Sequence, residues 1–240
     1  MDDREQLRKR FSELASRAER TGIPQETKFL NMAEQSELLS LGLDAALFGG
    51  YDGAERRIAV FGADEGFKPG IAVLRIAPAS RKFADDLTHR DFLGSLMALG
   101  INREVLGDIV IKDGEGYLIC LESIAPFVIE NLKEVKRTSV NCAYSSVPDE
   151  IVSGGEEKSL VVASERLDAL IAAVYDLPRE EAKALSEKGL VFVNARLAQK
   201  GGAVIPEGSV VSVRGKGRFV YLGLERETKK GKMRVRVKVY

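Results

Sequence analysis

Residues 210–219 read VVSVRGKGRF, and the conformation of this stretch decides how the C-terminal third of the chain is built. Three readings compete: a glycine-rich nucleotide loop, a disordered basic linker, or a surface that holds a nucleic-acid backbone. A Walker loop needs G-x-x-x-x-G-K-[S/T], and a dinucleotide loop needs G-x-G-x-x-G between a strand and a helix. Neither spacing is present, and the chain continues as FVYLGL, a strand-like run that offers no helix N-terminus to a phosphate. If the stretch is extended, side chains two apart share a face, so Arg214, Lys216 and Arg218 project together and Val213, Gly215, Gly217 and Phe219 project oppositely. Glycine at 215 and 217 would let a backbone approach closely. The run MRVRVKV at 233–239 repeats the device, with Arg234, Arg236 and Lys238 on one face and Met233, Val235, Val237 and Val239 on the other. The two segments are expected to pair as a hairpin through ERETKKGK, basic outside and apolar inside. The plainer account is an exposed edge strand kept soluble by Lys and Arg, but the one-signed bias favours a polyanionic ligand.

The whole chain has 36 Lys and Arg against 36 Asp and Glu. Its distribution is polarised: residues 214–240 hold ten basic and two acidic groups, Glu225 and Glu227, a local net of +8. The preceding 213 residues carry 26 basic and 34 acidic groups, a net of −8. One end suits a polyanion and the remainder would be repelled by it.

With 240 residues, 45% of them hydrophobic and 30% charged, the chain can form one large domain or two to three small ones. No apolar run approaches the length of a membrane span, and the opening MDDREQLRKRFSEL is charged throughout, unlike a signal peptide. A cytoplasmic protein is expected. Cys120 and Cys142 are isolated, and His89 is the single histidine, so neither a metal site nor a cofactor is expected.

The fold class expected is α+β. Residues 1–54 read as a helical segment: REQLRKRFSELASRAER spaces Leu7, Phe11, Leu14 and Ala18 by three and four, and TKFLNMAEQSELLSLG resumes the pattern up to Gly42. Residues 55–145 read as strand (RRIAVFG), strand (GIAVLRIAP), helix (THRDFLGSLMALG), strand (GDIVI), turn at 113–116, strand (YLICLE), helix (IAPFVIENL) and strand (TSVNCAY). That order predicts a ferredoxin-like, RNA-recognition-type layer of helices on a sheet. Residues 146–157, polar with Pro148 and a Gly pair, are the expected linker. In residues 158–240, Ser164 is the expected N-cap of a helix burying Leu167, Leu170, Ile171 and Val174, Pro178 opens a second helix that stops at Gly189, and LVFVN and SVVSV are short strands.

The stretch SERLDALIAAVYDLPREEAKALSEKGLVFVNARLAQKGGAVIPEGSVVSVRGKGRF resembles the alpha-L RNA-binding motif, the S-four domain. Upstream, FGGYDGAERR and LTHRDFLGSLMALGINREVLGDIVI resemble the YlmH family of bacterial proteins, in which a helical segment and a ferredoxin-like domain precede an S-four domain. The resemblance implies a non-enzymatic RNA-binding factor that contacts rRNA and tRNA on the large ribosomal subunit, with peptidyl-tRNA, in rescue of stalled nascent chains. It places the RNA-facing positions at Arg166, Arg179, Lys183 and Lys188 and at Arg214, Lys216 and Arg218, and the basic tail adds Arg234 and Arg236. The family usually has a serine where this chain has Pro178, which removes a hydroxyl contact there. A monomer is expected, with no DNA or membrane partner.

Arg179 and Lys183 share a helix face, and five or so neutralised phosphates would make binding steeply salt-dependent. Folded RNA read by shape suits a region whose nearby aromatics are Phe219 and Tyr221, both equally suited to a core. In the middle domain, charge and the family's shape assign a secondary RNA contact to Arg81, Lys82, His89, Arg90 and Arg103. A catalytic role for His89 between Asp86 and Asp91 competes with a capping role after Thr88, and GGYDGAERR reads as a tight turn. The alternative function is an RNA-modifying enzyme such as a pseudouridine synthase, or an accessory subunit of one. Against it, the RLD of Arg166–Asp168 lies inside the S-four helix. A weaker third reading is a protein adaptor that binds through its acidic front half.

Overall fold

The computed structural model describes residues 3–81, 85–149, 154–198, 200–228 and 231–240. The chain divides into two compact units, one of residues 1–34 and 40–152, the other of residues 35–39 and 153–240. It is α+β throughout. Among the described residues no helix is long and apolar enough to cross a membrane.

In the first unit α1 (Asp3–Thr21) buries Phe11 and Ala18, two turns apart, and carries Asp3 and Glu5 at its N-terminal end, where the helix dipole favours acids. Gly22, at φ +65°, stops it. The second helix, α2 (Met32–Ser40), whose residues 35–39 count with the second unit, starts with a capping box: the Asn31 side chain accepts from the amides of Ala33 and Glu34, and the Glu34 carboxylate accepts from the Asn31 amide at 2.6 Å. Strands β1 (Gln25–Glu26), β2 (Ala46–Phe48) and β3 (Ile58–Phe61) form a small antiparallel sheet in the order β1-β3-β2. This corrects one expectation. RRIAVFG was read as the first strand of the middle domain, but all four residues of β3 are buried and pair with segments N-terminal to it.

The larger sheet holds β4 (Ile71–Pro78), β5 (Leu106–Lys112), β6 (Glu115–Leu121), β7 (Glu134–Val135) and β8 (Thr138–Tyr144) in the order β5-β6-β4-β8-β7, antiparallel throughout. With α3 (His89–Ala98) after β4 and α4 (Ala125–Asn131) after β6, the main elements run β-α-β-β-α-β with the first and third strands adjacent. The β5–β6 hairpin turns at Asp113 and Gly114, both at positive φ, the conformation a two-residue hairpin loop demands. Thr88 begins α3 with a capping box, its amide donating to the Asp91 carboxylate at 2.8 Å. One sheet face packs Leu74, Ile76, Leu118 and Cys120 under Phe92, Leu96 and Val128 of the two helices. The other packs Ile119, with Ile71 and Val73, on Phe29, Ile58 and Val60.

The loop GGYDGAERR fastens this second contact. The Asp108 carboxylate on β5 accepts from the Tyr51 hydroxyl at 3.0 Å and from the amides of Glu55 and Arg56 at 2.7 and 3.1 Å. Arg56 donates to the carbonyls of Phe29, Arg103 and Leu106. Gly49 is required, because a Cβ there would lie 2.2 Å from that of Ala54.

In the second unit, β9 (Glu156–Val162), β10 (Val191–Val193), β11 (Arg196–Leu197), β12 (Val210–Val213), β13 (Gly217–Glu227) and β14 (Met233–Val239) form one antiparallel sheet in the order β11-β10-β12-β13-β14-β9. The helices α5 (Leu167–Tyr175) and α6 (Arg179–Glu187) share its inner face, where Leu170, Ile171, Ala182, Val211, Phe219, Tyr221, Val235 and Val237 are buried together. Two readings need correction here. The N-cap of α5 is Arg166, not Ser164, whose hydroxyl is buried without a partner among the described residues. Strand β9 begins inside the stretch read as a linker; its exposed Glu and Lys concealed it, though they suit the edge position it takes.

Replacing Asp108 with alanine removes three acceptor contacts and leaves amides and a part-buried arginine uncompensated. Asp108→Ala is expected to cost about 2–4 kcal/mol in urea unfolding, and Asp108→Asn, which keeps one acceptor oxygen, clearly less.

Candidate nucleic-acid interface

Asp168 lies in the first turn of α5 with its side chain 4% exposed. A buried carboxylate must be fully hydrogen-bonded to be tolerated, and here two arginines do it. Arg179, at the start of α6, donates in bidentate fashion from Nε and Nη2 at 3.1 and 3.2 Å. Arg166 approaches the same carboxylate with Nε at 3.3 Å and Nη2 at 3.4 Å. Burial pulls the Asp168 pKa up, but the Arg179 hydrogen bonds and the charges of Arg179 and Arg166 outweigh it and hold the carboxyl below its ordinary value. Both arginine side chains stay 45% exposed. The result is a pair of half-exposed guanidiniums, net positive with the carboxylate, whose orientation Asp168 sets.

The chain around residue 201 closes the arrangement. The Asp168 amide donates to the Gly201 carbonyl at 2.7 Å, and the Leu167 amide to that of Ala203. A Cβ on Gly202 would stand 2.4 Å from the Arg166 guanidinium, so a side chain there would have to displace that group from its place against the loop. Glu165 accepts from the hydroxyl of the buried Tyr221, which ties the entry of α5 to β13.

Lys183 is exposed one turn beyond Arg179 and pairs loosely with Glu187, at 3.7 Å; Lys188 is exposed at the C-cap of α6. The expected extended run is broken at residues 214–216, which form the turn between β12 and β13 with Gly215 at φ +79°, while Gly217, at φ +115°, and Arg218 already belong to β13, so the three basic side chains do not share a strand face. Arg214 points to solvent, and Lys216 reaches Glu181 of α6 at 3.6 Å, which sets the turn beside that helix. Arg218 is 9% exposed and lies 4.4 Å over the Tyr240 ring, a cation–π contact. Phe219 and Tyr221 are core residues.

Strand β14 forms a hairpin with β13, with Val235 and Val237 buried, but of the 210–219 stretch expected to pair with it only the end lies in β13, and Val210–Val213 pairs with β13 as β12 instead. Because the hairpin's inner face meets α5 and α6, alternation puts Arg234 and Arg236 on the opposite face of the sheet. The basic positions of this unit therefore fall into two groups: the helix side with the 214–216 turn, and the outer face of β14. The residues that sequence reasoning missed are Asp168 and Gly202. The run RLD followed by a basic residue after the helix break at Asp176–Pro178 was the available signal for the first.

In the first unit, Lys82 lies outside the described residues. Arg90 is exposed on α3. Arg103 is structural: Nη1 donates to the carbonyls of Leu106 and Gly107, and burial, with Arg56 alongside, lowers its pKa to about 10. Burial, and then the charge of Arg103, lower the His89 pKa. Arg81 instead donates to Glu115 at 2.9 Å, beside a bidentate pair from Arg75 at 2.6 Å.

Hydrogen bonds from Arg75 overcome the opposing effect of burial and, with Arg81, bring the Glu115 carboxyl down to about 2 from 4.5. A depressed acid contributes stability that is complete above its unfolded value and lost as pH falls through the folded one. Thermal unfolding between pH 4.5 and 2 is therefore expected to show a loss of stability that Glu115→Gln abolishes, with the wild type losing its advantage over the variant as the pH falls.

Three comparisons set this geometry among known proteins. Residues 64–149 match the family model described as "Putative RNA-binding domain in YlmH". The chain is 32% identical over 218 residues to the Ribosome-associated protein quality control protein P2 of Bacillus subtilis (strain 168), covering 87% of this chain and 84% of that one. Among solved structures it is similar to the Cell division protein ylmH from Streptococcus pneumoniae, with a TM-score of 0.47 and 20% identity over 60% of this chain and 92% of that one. With a relative this similar over nearly its full length, the chain belongs to the YlmH family.

Proposed function

We propose that the protein is a non-enzymatic, cytoplasmic RNA-binding factor that grips structured RNA on the ribosome through an S-four unit built of residues 158–240. The observation that carries this reading is the Asp168 carboxylate holding Arg166 and Arg179 side by side at the surface. Guanidiniums fixed in this way match phosphate oxygens with little ordering left to do on binding. Lys183, Lys188, Arg214 and Lys216 extend the grip along α6 and the neighbouring turn. Pro178 supplies no hydroxyl at the N-cap of α6, and Arg179 takes its orientation from Asp168 instead. The name of the Bacillus subtilis relative supports a place in ribosome-associated quality control, and we infer the large subunit with peptidyl-tRNA as the target. The aspartate of RLD, enclosed by two arginines, is equipped as an anchor rather than as an exposed nucleophile. On the far side of the sheet, Arg234 and Arg236 form a second basic surface that steers polyanions at longer range.

The test is binding of the purified protein to large ribosomal subunits, with and without peptidyl-tRNA, across a salt series. With five or six phosphates neutralised, log K should fall against log salt with a slope of roughly −4.5 to −5.5. Replacing Arg166 and Arg179 with glutamine should weaken binding by about tenfold or more and reduce that slope by about 2. Unaltered affinity and slope in this variant would overturn the reading.

A further inference from the structure

We infer that the open half of the β5-β6-β4-β8-β7 sheet, around Arg75, Arg81 and Tyr117, is a docking site for single-stranded RNA. The inference rests on the protein being an RNA-binding factor and gives it a second site of different chemistry in the other unit.

One face of this sheet is covered by α3 and α4. On the other face, Ile71, Val73 and Ile119 are sealed by Phe29, Ile58 and Val60. Farther along β4 that same face is open. There Arg75 stands cross-strand from Tyr117 on one side and from Ala143 on the other. Glu115, two residues before Tyr117, shares the face and lies beneath both arginines, its side chain 6% exposed, while Arg75 and Arg81 remain 47% and 73% exposed.

The bidentate pair fixes the plane of the Arg75 guanidinium, and the Tyr117 hydroxyl sits 3.4 Å from the same carboxylate. A fixed guanidinium plane next to a phenol ring is a stacking surface for two successive bases. The small Ala143 leaves room for them, and exposed Asn141 on β8 offers an amide to a base edge. Arg81, held by one nitrogen, has the rest of its fork for a phosphate. The three charged groups sum to +1, so the site attracts an anion. Bases held in a duplex cannot stack on such a face, so the site selects unpaired strand. All of these residues fall within the stretch matched by the RNA-binding family model.

The experiment uses the full chain and a fluorescein-labelled decauridine, with a labelled RNA hairpin as the structured control. Tyr117→Leu keeps both ion pairs and should weaken decauridine binding by about tenfold. The double variant Arg75→Gln with Arg81→Gln should weaken it at least as much, and both should leave hairpin affinity within about twofold. Ultraviolet crosslinking of decauridine to the wild type, mapped by mass spectrometry, should mark Tyr117 and should persist in the Arg166→Gln, Arg179→Gln variant. Should the arginine variant unfold, Tyr117→Leu and the crosslink decide. Crosslinks confined to other segments, or unchanged decauridine affinity in Tyr117→Leu, would overturn this site while leaving the α5–α6 grip standing. A wild type that binds the hairpin but not decauridine does the same, and one that binds neither RNA overturns both.

Discussion

The candidate site of the C-terminal unit depends on one buried negative charge. Removing a carboxylate from water costs several kcal/mol unless its lone pairs are filled, and Asp168 fills them from two different helix starts. Neither arginine can turn away without leaving that charge exposed to a low-dielectric interior. The carboxylate ties the first turn of α5 to the start of α6, and the backbone amides of Leu167 and Asp168 tie the same turn to the 201–203 loop. The same arrangement recurs independently in the other unit, where Glu115 carries Arg75 and Arg81. In both, the acid cancels one of the two positive charges and in return sets the orientation of the guanidiniums that carry them.

Much of the fold was legible in the sequence because the periodicities are strong. The 3.6-residue pattern marks α1, and the alternation of MRVRVKV gives β14 its buried Val235 and Val237. What escaped was non-local. Strand β3 has the composition of any buried strand, and nothing within it tells which sheet will take it. Strand β9 is written in Glu, Lys and Ser, residues that an edge accepts but that read locally as a linker. In RGKGR, the positive φ of Gly215 and Gly217 overrides the alternation that would have aligned the arginines.

The site was legible as charge but not as geometry. Counting Lys and Arg located the basic end of the chain, yet Arg218 is spent on Tyr240 and Arg103 on backbone carbonyls. The organising residues are an aspartate and a glycine, types that a search for cations passes over. In the first unit, the two stretches that carry the family resemblance, FGGYDGAERR and GDIVI, turn out to touch. Asp108 of the second receives the hydroxyl and amides of the first, so they form one structural feature written in two places.

Strand β14 lies between β13 and β9, and its partner β9 spans Glu156–Val162, a whole helical pair and four strands earlier in the chain. The hairpin with β13 closes a short loop, whereas joining β9 closes one of about 70 residues, an entropic cost greater by roughly 2 kcal/mol. Pairing of β14 with β13 is therefore expected to precede its pairing with β9 as the protein folds. Until β9 arrives, β14 is an open edge crowded with like charges, and those charges keep it from pairing with another chain during that interval.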